Sequence, residues 1–570
     1  MLLLSRVSVA ASAHIRKYAT ESCDVLIVGG GPVGLALASA LSSSPVVRQN
    51  LRVALVEAGD LDKVRNWHSA PDQYSNRVSS LTNASCTFLQ SRYQSYSILI
   101  DKGAWKFVQH ERTCPIEQME VWDGISDARI NFNAAEMRST SQPEGMSRLT
   151  ENLNLQRGLL QSLDEIPSLD LIHKTKVTSI SREAEGHGAW PVVELDNGQR
   201  LRTRLLVGAD GFNSPVRTYA QIPSFGWSYD TQGIVATLVH QPRTAYEGPN
   251  TTAYQRFLPT GPIAFLPLSR TVSSLVWSTR PHIARVFQAS DSSVLACMIN
   301  AAFRLPQLSL QYLYNRISEA QAAGTPLTAQ QVQEEILWRE KSHGIDHHSA
   351  LSTSSTIRSD SAAKIPPTDS HLLPPLVTSI QTGSIASFPI RFNHTESYLG
   401  EGPGARTVLV GDAAHTTHPL AGQGLNLGLG DVECLANCIE NAVLSGSDVG
   451  SHTALQPYAR ERYLVNHTIL AAVDKLHKLY TTEFEPVVWA RSTGLEIVNE
   501  LDSLKAAIMM TAGADSQRSG MAAGWDAMSN GLQTVESVAR LARAIGGGMG
   551  GILGAGAHAL TKKIAEYRKV

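Results

Sequence analysis

The run Asp24-Val25-Leu26-Ile27-Val28 leads straight into Gly29-Gly30-Gly31-Pro32-Val33-Gly34, and Leu35 to Leu41 then reads as a helix of small and apolar residues. An unbroken apolar run of this length predicts a strand buried on both faces. A strand that leaves through G-x-G-x-x-G into a helix belongs to a doubly wound α/β sheet. The first glycine permits the turn, the second lets backbone approach a pyrophosphate, and the third lets helix and strand pack closely. Arg52-Val53-Ala54-Leu55-Val56-Glu57 is a second strand ending in an acid, 23 residues after Gly34. A carboxylate there accepts hydrogen bonds from an adenosine ribose. The pattern specifies an adenine dinucleotide and leaves FAD and NAD both open.

Two further strand ends repeat the pairing of glycine with acid. Leu205-Leu206-Val207-Gly208-Ala209-Asp210-Gly211 is one, followed by Ser214 as N-cap and Pro215 at the first helical position. The other is Val408 to Cys438, VLVGDAAHTTHPLAGQGLNLGLGDVECLANC. Here apolar β-formers run into Gly411-Asp412, then small residues, His418-Pro419 and the turn Gly422-Gln423-Gly424. Leu425, Leu427, Leu429, Val432 and Leu435 then recur at helical spacing. A helix starting near Gly424 aims free N–H groups and a positive dipole end at a ligand. Asp412 at the strand end suits hydroxyl recognition of a sugar or sugar alcohol. In a doubly wound sheet the carboxyl strand ends collect on one edge, so 29–34 with Glu57, 208–211 and 411–412 are expected to line a single crevice.

The rest of the chain reads as support for that crevice. Arg77 sits in the polar loop Asn76–Leu81, and Gln156 on a helix opened by Glu151-Asn152. Leu169–His173, Lys176–Ser181 and Pro191–Leu195 read as strands, with Asp196-Asn197-Gly198 as a hairpin turn. Gly233–His240, Thr252–Leu258, Gly261–Leu268 and Val272–Ser278 alternate like an antiparallel sheet, on which Tyr254, Phe257, Phe265 and Trp277 are expected to wall the crevice for a hydrophobic aromatic substrate. Residues 281–330 look helical, and Lys341–Pro375, rich in Ser, His, Thr and Pro, reads as a surface loop. Leu455–Tyr480 is an amphipathic helix, and Leu495, Val498, Leu501, Leu504 and Ile508 continue a helical stripe.

Composition sets the outer limits. The chain has 570 residues, 43% of them apolar, enough for two interleaved domains. A net charge of −2 gives no sign of nucleic acid as a partner. The six cysteines are scattered and fit a reduced compartment without a disulfide framework. Cys434 and Cys438 lie four apart on the predicted helix, but no further Cys or His has zinc spacing, so no metal site is assigned. Residues 1–18 hold Arg6, Arg16 and Lys17, three serines and no acid, the composition of a mitochondrial transit peptide. The uncharged run Ala544–Thr561 approaches membrane-span length, but its glycine content makes it poorly hydrophobic. With the basic tail that follows, it suits contact with an anionic membrane surface instead.

VGADGFNSPVR, YQRFLPTGPIAFLPL, SSLVWST and GDAAHTTHPLAGQGLNLGLGD together resemble the FAD-dependent aromatic hydroxylases of ubiquinone biosynthesis, which have the para-hydroxybenzoate hydroxylase fold. Within that family the chain is most similar to the mitochondrial ring C5-hydroxylases. The resemblance covers roughly 22–280 and 380–510. It implies an α/β architecture: an FAD-binding Rossmann-like domain (22–100, 150–230, 380–450) interleaved with an antiparallel-sheet substrate domain (101–149, 231–340). A polar insertion (341–379) and a C-terminal helical region (451–570) complete it. The resemblance implies that Gly29, Gly31 and Gly34 hold the FAD pyrophosphate and Glu57 the ribose, with Arg77 and Gln156 also on the cofactor. Asp412 is then the ribityl ligand, the backbone of Gly422, Gly424, Leu425 and Asn426 lies near the isoalloxazine, and Asp210-Gly211 is the motif that serves both FAD and NADPH in relatives. His418 beside Pro419 is the candidate phenol base. The implied reaction is C5 hydroxylation of a polyprenylated 4-hydroxybenzoate by O₂ through a flavin C4a-hydroperoxide, with electrons from ferredoxin and ferredoxin reductase. The implied location is peripheral, on the matrix side of the mitochondrial inner membrane, among other ubiquinone-synthesis proteins. Alternatives are a related FAD hydroxylase of another apolar ring, a flavin-bound structural subunit of the same assembly, and an NAD-dependent dehydrogenase. The last is disfavoured by the two additional acid–glycine strand ends.

Overall fold

The computed structural model describes residues 20–90, 103–137, 145–166, 169–183, 190–244, 247–353, 367, 369–500 and 505. The transit peptide read at 1–18, the run Ala544–Thr561 with its basic tail, and the stripe positions Leu501, Leu504 and Ile508 lie outside the described residues.

Thr20–Val28 is the central strand of a seven-stranded sheet. Val25, Leu26 and Ile27 are wholly buried, as an unbroken apolar run requires. The strand pairs in parallel with Val53–Val56 on one side and Arg200–Gly208 on the other, and Leu169–Ile172 extends the sheet beyond Val53–Val56. Arg200–Gly208 is forked. Its start pairs with the antiparallel hairpin of Pro191–Leu195 and Val177–Arg182, and its end, Leu206–Gly208, pairs in parallel with Thr407–Leu409. Helices Pro32–Ser43, Asn152–Asp164 and Gln423–Leu444 share one apolar core with these strands.

A nine-stranded, mostly antiparallel sheet is built around Ser224–His240. It includes Thr252–Leu258, Gly261–Pro267 and Val272–Thr279, as the alternation predicts. The short strand His415–Thr416 sits at its edge, paired with Ala386–Thr395. Residues 407–416 therefore pass from the first sheet into the second within ten residues, which joins the two sheets at the GDAAH stretch.

Four helices, Pro281–Ala289, Ser292–Arg304, Gln307–Ala322 and Ala329–Ser342, cover one face of the second sheet. This overturns the expected aromatic wall. Tyr254, Phe265 and Trp277 are fully buried in the core beneath those helices. Phe257, on the opposite face, stacks on Tyr480 at 4.0 Å between centroids. Period-two alternation divides the residues correctly between faces, but it carries no information about which face a helix layer will cover. The flanks of the 341–379 segment also depart from a free surface loop. Ala350, Leu373 and Leu376 are buried, and Glu340 accepts hydrogen bonds from Ser352 and Thr353. Residues 354–366 and 368 lie outside the described residues.

A three-stranded sheet (Val78–Thr82, Ser147–Glu151, Thr113–Ile116) packs Cys114, Ile116 and Leu149 with Ala253 and Val272 from the second sheet. Helices His452–Thr481 and Glu485–Asn499 close the described chain. Among the described residues no helix is long and apolar enough to cross a membrane.

Candidate active site

Three backbone hydrogen bonds stitch the carboxyl edge of the first sheet together. Gly29 N–H donates to Val56 O at 2.8 Å, Ala209 N–H to Val28 O at 2.8 Å, and Val410 N–H to Gly208 O at 3.0 Å. The strand ends carrying Gly29, Glu57, Asp210 and Asp412 are thereby brought to one edge, where α/β sheets bind ligands.

At the first of these ends the glycines have distinct physical roles. Gly29 has φ +111°, and a Cβ there would lie 2.3 Å from Ala209 O. A Cβ on Gly34 would lie 1.9 Å from Gly29 O, so only glycine lets the helix approach its strand. Gly31 is different. It caps the helix with φ −68°, and nothing lies within 4 Å of a Cβ built on it. Protein packing does not require a glycine there, so the open space is available to a ligand at the helix N-terminus. Glu57 accepts hydrogen bonds from the Gly30 and Gly59 amides. Gln156 Nε2 donates to Gly30 O at 3.3 Å, and Arg77 is exposed just ahead of the strand Val78–Thr82.

At the second end Asp210 Oδ2 accepts Val216 N–H at 3.1 Å, while Oδ1 is buried without a hydrogen-bond partner. Burial pushes this carboxyl above its ordinary value, against the pull of the Val216 amide. Gly211 has φ +80° and open space beside it. Arg217 bridges this loop to the third strand end by donating to Phe212 O and Ala413 O at 2.6 and 2.8 Å.

At the third end Asp412 is exposed to solvent, yet the protein atoms crowding it push its carboxyl up, with the His415 charge opposing. Such a group lines a concave cleft; it does not project from a convex surface. Behind it Asp431 is wholly buried and accepts four hydrogen bonds: from Gly411 N–H (3.1 Å), His415 Nε2 (2.6 Å), Arg462 Nε (3.0 Å) and Asn466 Nδ2 (2.9 Å). Burial alone would raise its pKa, but the His415 and Arg462 charges and the Asn466 amide hold it at about 2. Asp431 thus fixes the Gly411–His415 turn to two helices. Sequence reasoning gave it no role. The available signal was an acid at helical spacing with Leu427 and Leu435, on the apolar face of its helix.

Gly422 caps helix Gln423–Leu444 in the left-handed conformation (φ +62°) with no side-chain cap, so the amides of the first turn, at Gly424 and Leu425, have no side chain competing for them. Asn426 uses its side chain within the protein, donating to Ser80 O and Gly422 O and accepting from Thr82 N–H and Ser85 Oγ. It clamps the helix start to the strand that follows Arg77, which leaves its backbone as the part near a ligand.

His418 is fully buried. Its Nδ1 accepts the Leu420 amide at 3.2 Å, its Nε2 lies 3.5 Å from Ser278 Oγ, and its ring packs against Tyr229 and His477. Burial, followed by the His477 charge, lowers its pKa to about 3. With Nδ1 occupied and the ring held neutral, this geometry has His418 shaping the Pro419–Leu420 turn and gives it no lone pair to present to a phenol.

The residues at the edge fit FAD. A clear cradle at Gly31, the orphaned oxygen of Asp210, the cleft-facing Asp412 and an uncapped helix start match a ligand with pyrophosphate, sugar alcohol and polar ring.

A family model for an FAD binding domain matches residues 98–316 and 375–473. Over 519 residues the chain is 38% identical to the Schizosaccharomyces pombe ubiquinone biosynthesis monooxygenase COQ6, mitochondrial, covering 89% of this chain and 96% of that protein. The Saccharomyces cerevisiae protein of the same name is 35% identical over 91% of this chain and 99% of its own length. The human one is 33% identical over 85% and 91%. Among solved structures, p-nitrophenol 4-monooxygenase PnpA from Pseudomonas putida superposes with a TM-score of 0.56 at 15% identity, covering 87% of this chain and all of that one. A variant of PqsL from P. aeruginosa gives 0.54 at 21% identity, covering 83% and 99%. These two likenesses establish the fold.

Fold, site and relatives define an FAD-dependent aromatic monooxygenase. The chain belongs to the COQ6 family of ubiquinone-biosynthesis monooxygenases.

Proposed function

We propose that the chain hydroxylates the aromatic ring of a polyprenylated 4-hydroxybenzoate at C5 in ubiquinone biosynthesis, drawing electrons from ferredoxin and ferredoxin reductase. It does so as a peripheral protein on the matrix side of the mitochondrial inner membrane, alongside other ubiquinone-synthesis proteins. The observation that carries this reading is the near full-length identity to the COQ6 proteins.

FAD, when bound, supplies the activation of O₂. In this reading Gly29, Gly31 and Gly34 accommodate its pyrophosphate, Glu57 its ribose and Asp412 its ribityl chain, with Arg77, Gln156, Asp210 and Gly211 also on the cofactor. The free amides of Gly424 and Leu425 at the start of helix Gln423–Leu444 stabilise negative charge on the ring system, with the Asn426 backbone beside them. Pro419, held by His418, shapes the turn beside it.

The open face of the second sheet suits an apolar ring. Ala386, Val235, Val276 and Ala264 stand in lateral register across four strands, all partly exposed, on the face opposite the helix-covered Ile234, Phe265 and Trp277. Gln255 continues the row and is the one amide in it, placed to bond a polar ring substituent. Small apolar side chains leave room for a ring and prenyl carbons while keeping water out.

The test is turnover of FAD-loaded protein with a reduced ferredoxin system, O₂ and a short-chain prenylated 4-hydroxybenzoate, with the product resolved by NMR. The expected product carries its new hydroxyl at C5. Peroxide alone, or hydroxylation at another carbon, would overturn the proposal.

A further inference from the structure

The three-stranded sheet gathers one buried ion pair at the end nearest the glycine turn. Register places Val78 opposite Glu151 and Thr113 opposite Thr150. Arg77, Arg112 and Glu151 therefore stand at one end of three neighbouring strands. Arg112 is 6% exposed and Glu151 not at all, and Arg112 Nε donates to Glu151 Oε2 at 2.7 Å.

Both partners spend their remaining capacity on the segment before Arg77. The Arg112 guanidinium donates to Gln73 O at 2.7 Å and Ala70 O at 3.3 Å, and lies over the Tyr74 ring at 4.5 Å. Glu151 Oε1 accepts the Ser75 amide. The next residue, Asn152, donates its amide to Arg77 O at 3.0 Å and opens the helix that carries Gln156. On the other side Gln381 brackets Tyr74, accepting its amide and donating to its carbonyl, both at 2.9 Å. Residues 66–77 form no helix or strand, so their path is fixed by bonds of this kind, to which Asn76 Nδ2 donating to Ser384 O at 2.5 Å and Thr237 Oγ1 donating to Tyr74 O at 3.3 Å also belong.

Burial pushes the Glu151 carboxyl up despite Arg112 and the Ser75 amide. The desolvation cost of a buried ion pair offsets much of its attraction, so the main consequence of such a pair is the geometry it sets.

We infer that Arg112 and Glu151 are positioning residues for the cofactor: the pair fastens segment 70–77 against the start of helix Asn152–Asp164 and so sets Arg77 at the glycine turn. This rests on the proposed reading of Arg77 as an FAD contact. The pair acts through Arg77, so its effect on affinity must disappear once Arg77 is gone.

The test is FAD titration of apoprotein, read by flavin fluorescence, for wild type, Arg77→Ala, Glu151→Gln and the double variant, with thermal unfolding of each apoprotein alongside. Arg77→Ala and Glu151→Gln are each expected to weaken FAD binding about tenfold, and the double variant to stay within twofold of Arg77→Ala. Multiplying losses, or unchanged affinity in Glu151→Gln, would overturn the inference. Unchanged affinity in Arg77→Ala would overturn the placement of Arg77 and the inference with it. Arg112→Lys keeps the charge but loses the fork that reaches Glu151, Ala70 and Gln73 together; it carries the same cycle if Glu151→Gln does not fold.

Discussion

The two ends of the candidate FAD site are made by different physics. At the adenine end, Gly29 to Gly34 is shaped by backbone sterics: Gly29 and Gly34 sit where a Cβ would meet carbonyl oxygen at 2.3 and 1.9 Å. At the flavin end, Gly411 to Asn426 is held by buried polar side chains: Asp431 from further along helix Gln423–Leu444, and Arg462 and Asn466 from helix His452–Thr481. A steric site tolerates nothing at its tight positions and is indifferent at its open ones. A polar network has no indifferent member, because removing one partner leaves the others buried and unsatisfied.

That contrast is sharpest at Asp431. Asp431→Asn leaves the buried Arg462 without its carboxylate and is expected to cost about 3–5 kcal/mol, read from denaturant unfolding. The contribution of the native carboxylate is complete above its ordinary value of 3.8 and lost as pH falls to about 2. An acid-unfolding profile of the variant should therefore lack that segment.

His418 tests the same end by titration. Its folded-state pKa lies below the ordinary 6.5, so stability is full above that value and falls as pH drops toward about 3. The acid loss from this group is on the order of 5 kcal/mol as an upper bound. His418→Gln should flatten unfolding free energy against pH between those limits. An unaltered slope would place the ring in water.

The adenine end separates into tight and open positions. Gly34→Ala drives a methyl into Gly29 O and is expected to cost about 1–3 kcal/mol and to yield protein purified without FAD. Gly31→Ala, with φ −68° and open space, should leave apoprotein stability within about 0.5 kcal/mol while weakening FAD about tenfold. Equal effects of the two substitutions on stability would erase the distinction.

The same contrast explains what the sequence reveals. The glycine fingerprint, Glu57 and the strands around them are legible because the motif is local and each glycine answers to its own neighbours. The convergence of the strand ends at 29, 208–211 and 411–412 follows from the handedness of doubly wound sheets. The polar network is illegible because its partners are far apart: Asp431 meets Arg462 across 31 positions, and Arg112 meets Glu151 across 39. Tyr254, Phe265 and Trp277 on the second sheet are read onto the wrong surface, unlike Phe257, because alternation does not say where a helix layer lies. His418 looks like a base in a glycine-rich turn, and only its burial and its bond to the Leu420 amide reveal a different task.

The central claim is that the two ends form one cofactor site, with Asp412 opening onto the same ligand as Gly31. FAD titration of Asp412→Ala apoprotein tests it most directly. The account predicts binding weakened at least tenfold with an unchanged far-ultraviolet circular dichroism spectrum. Wild-type affinity in that variant would contradict it.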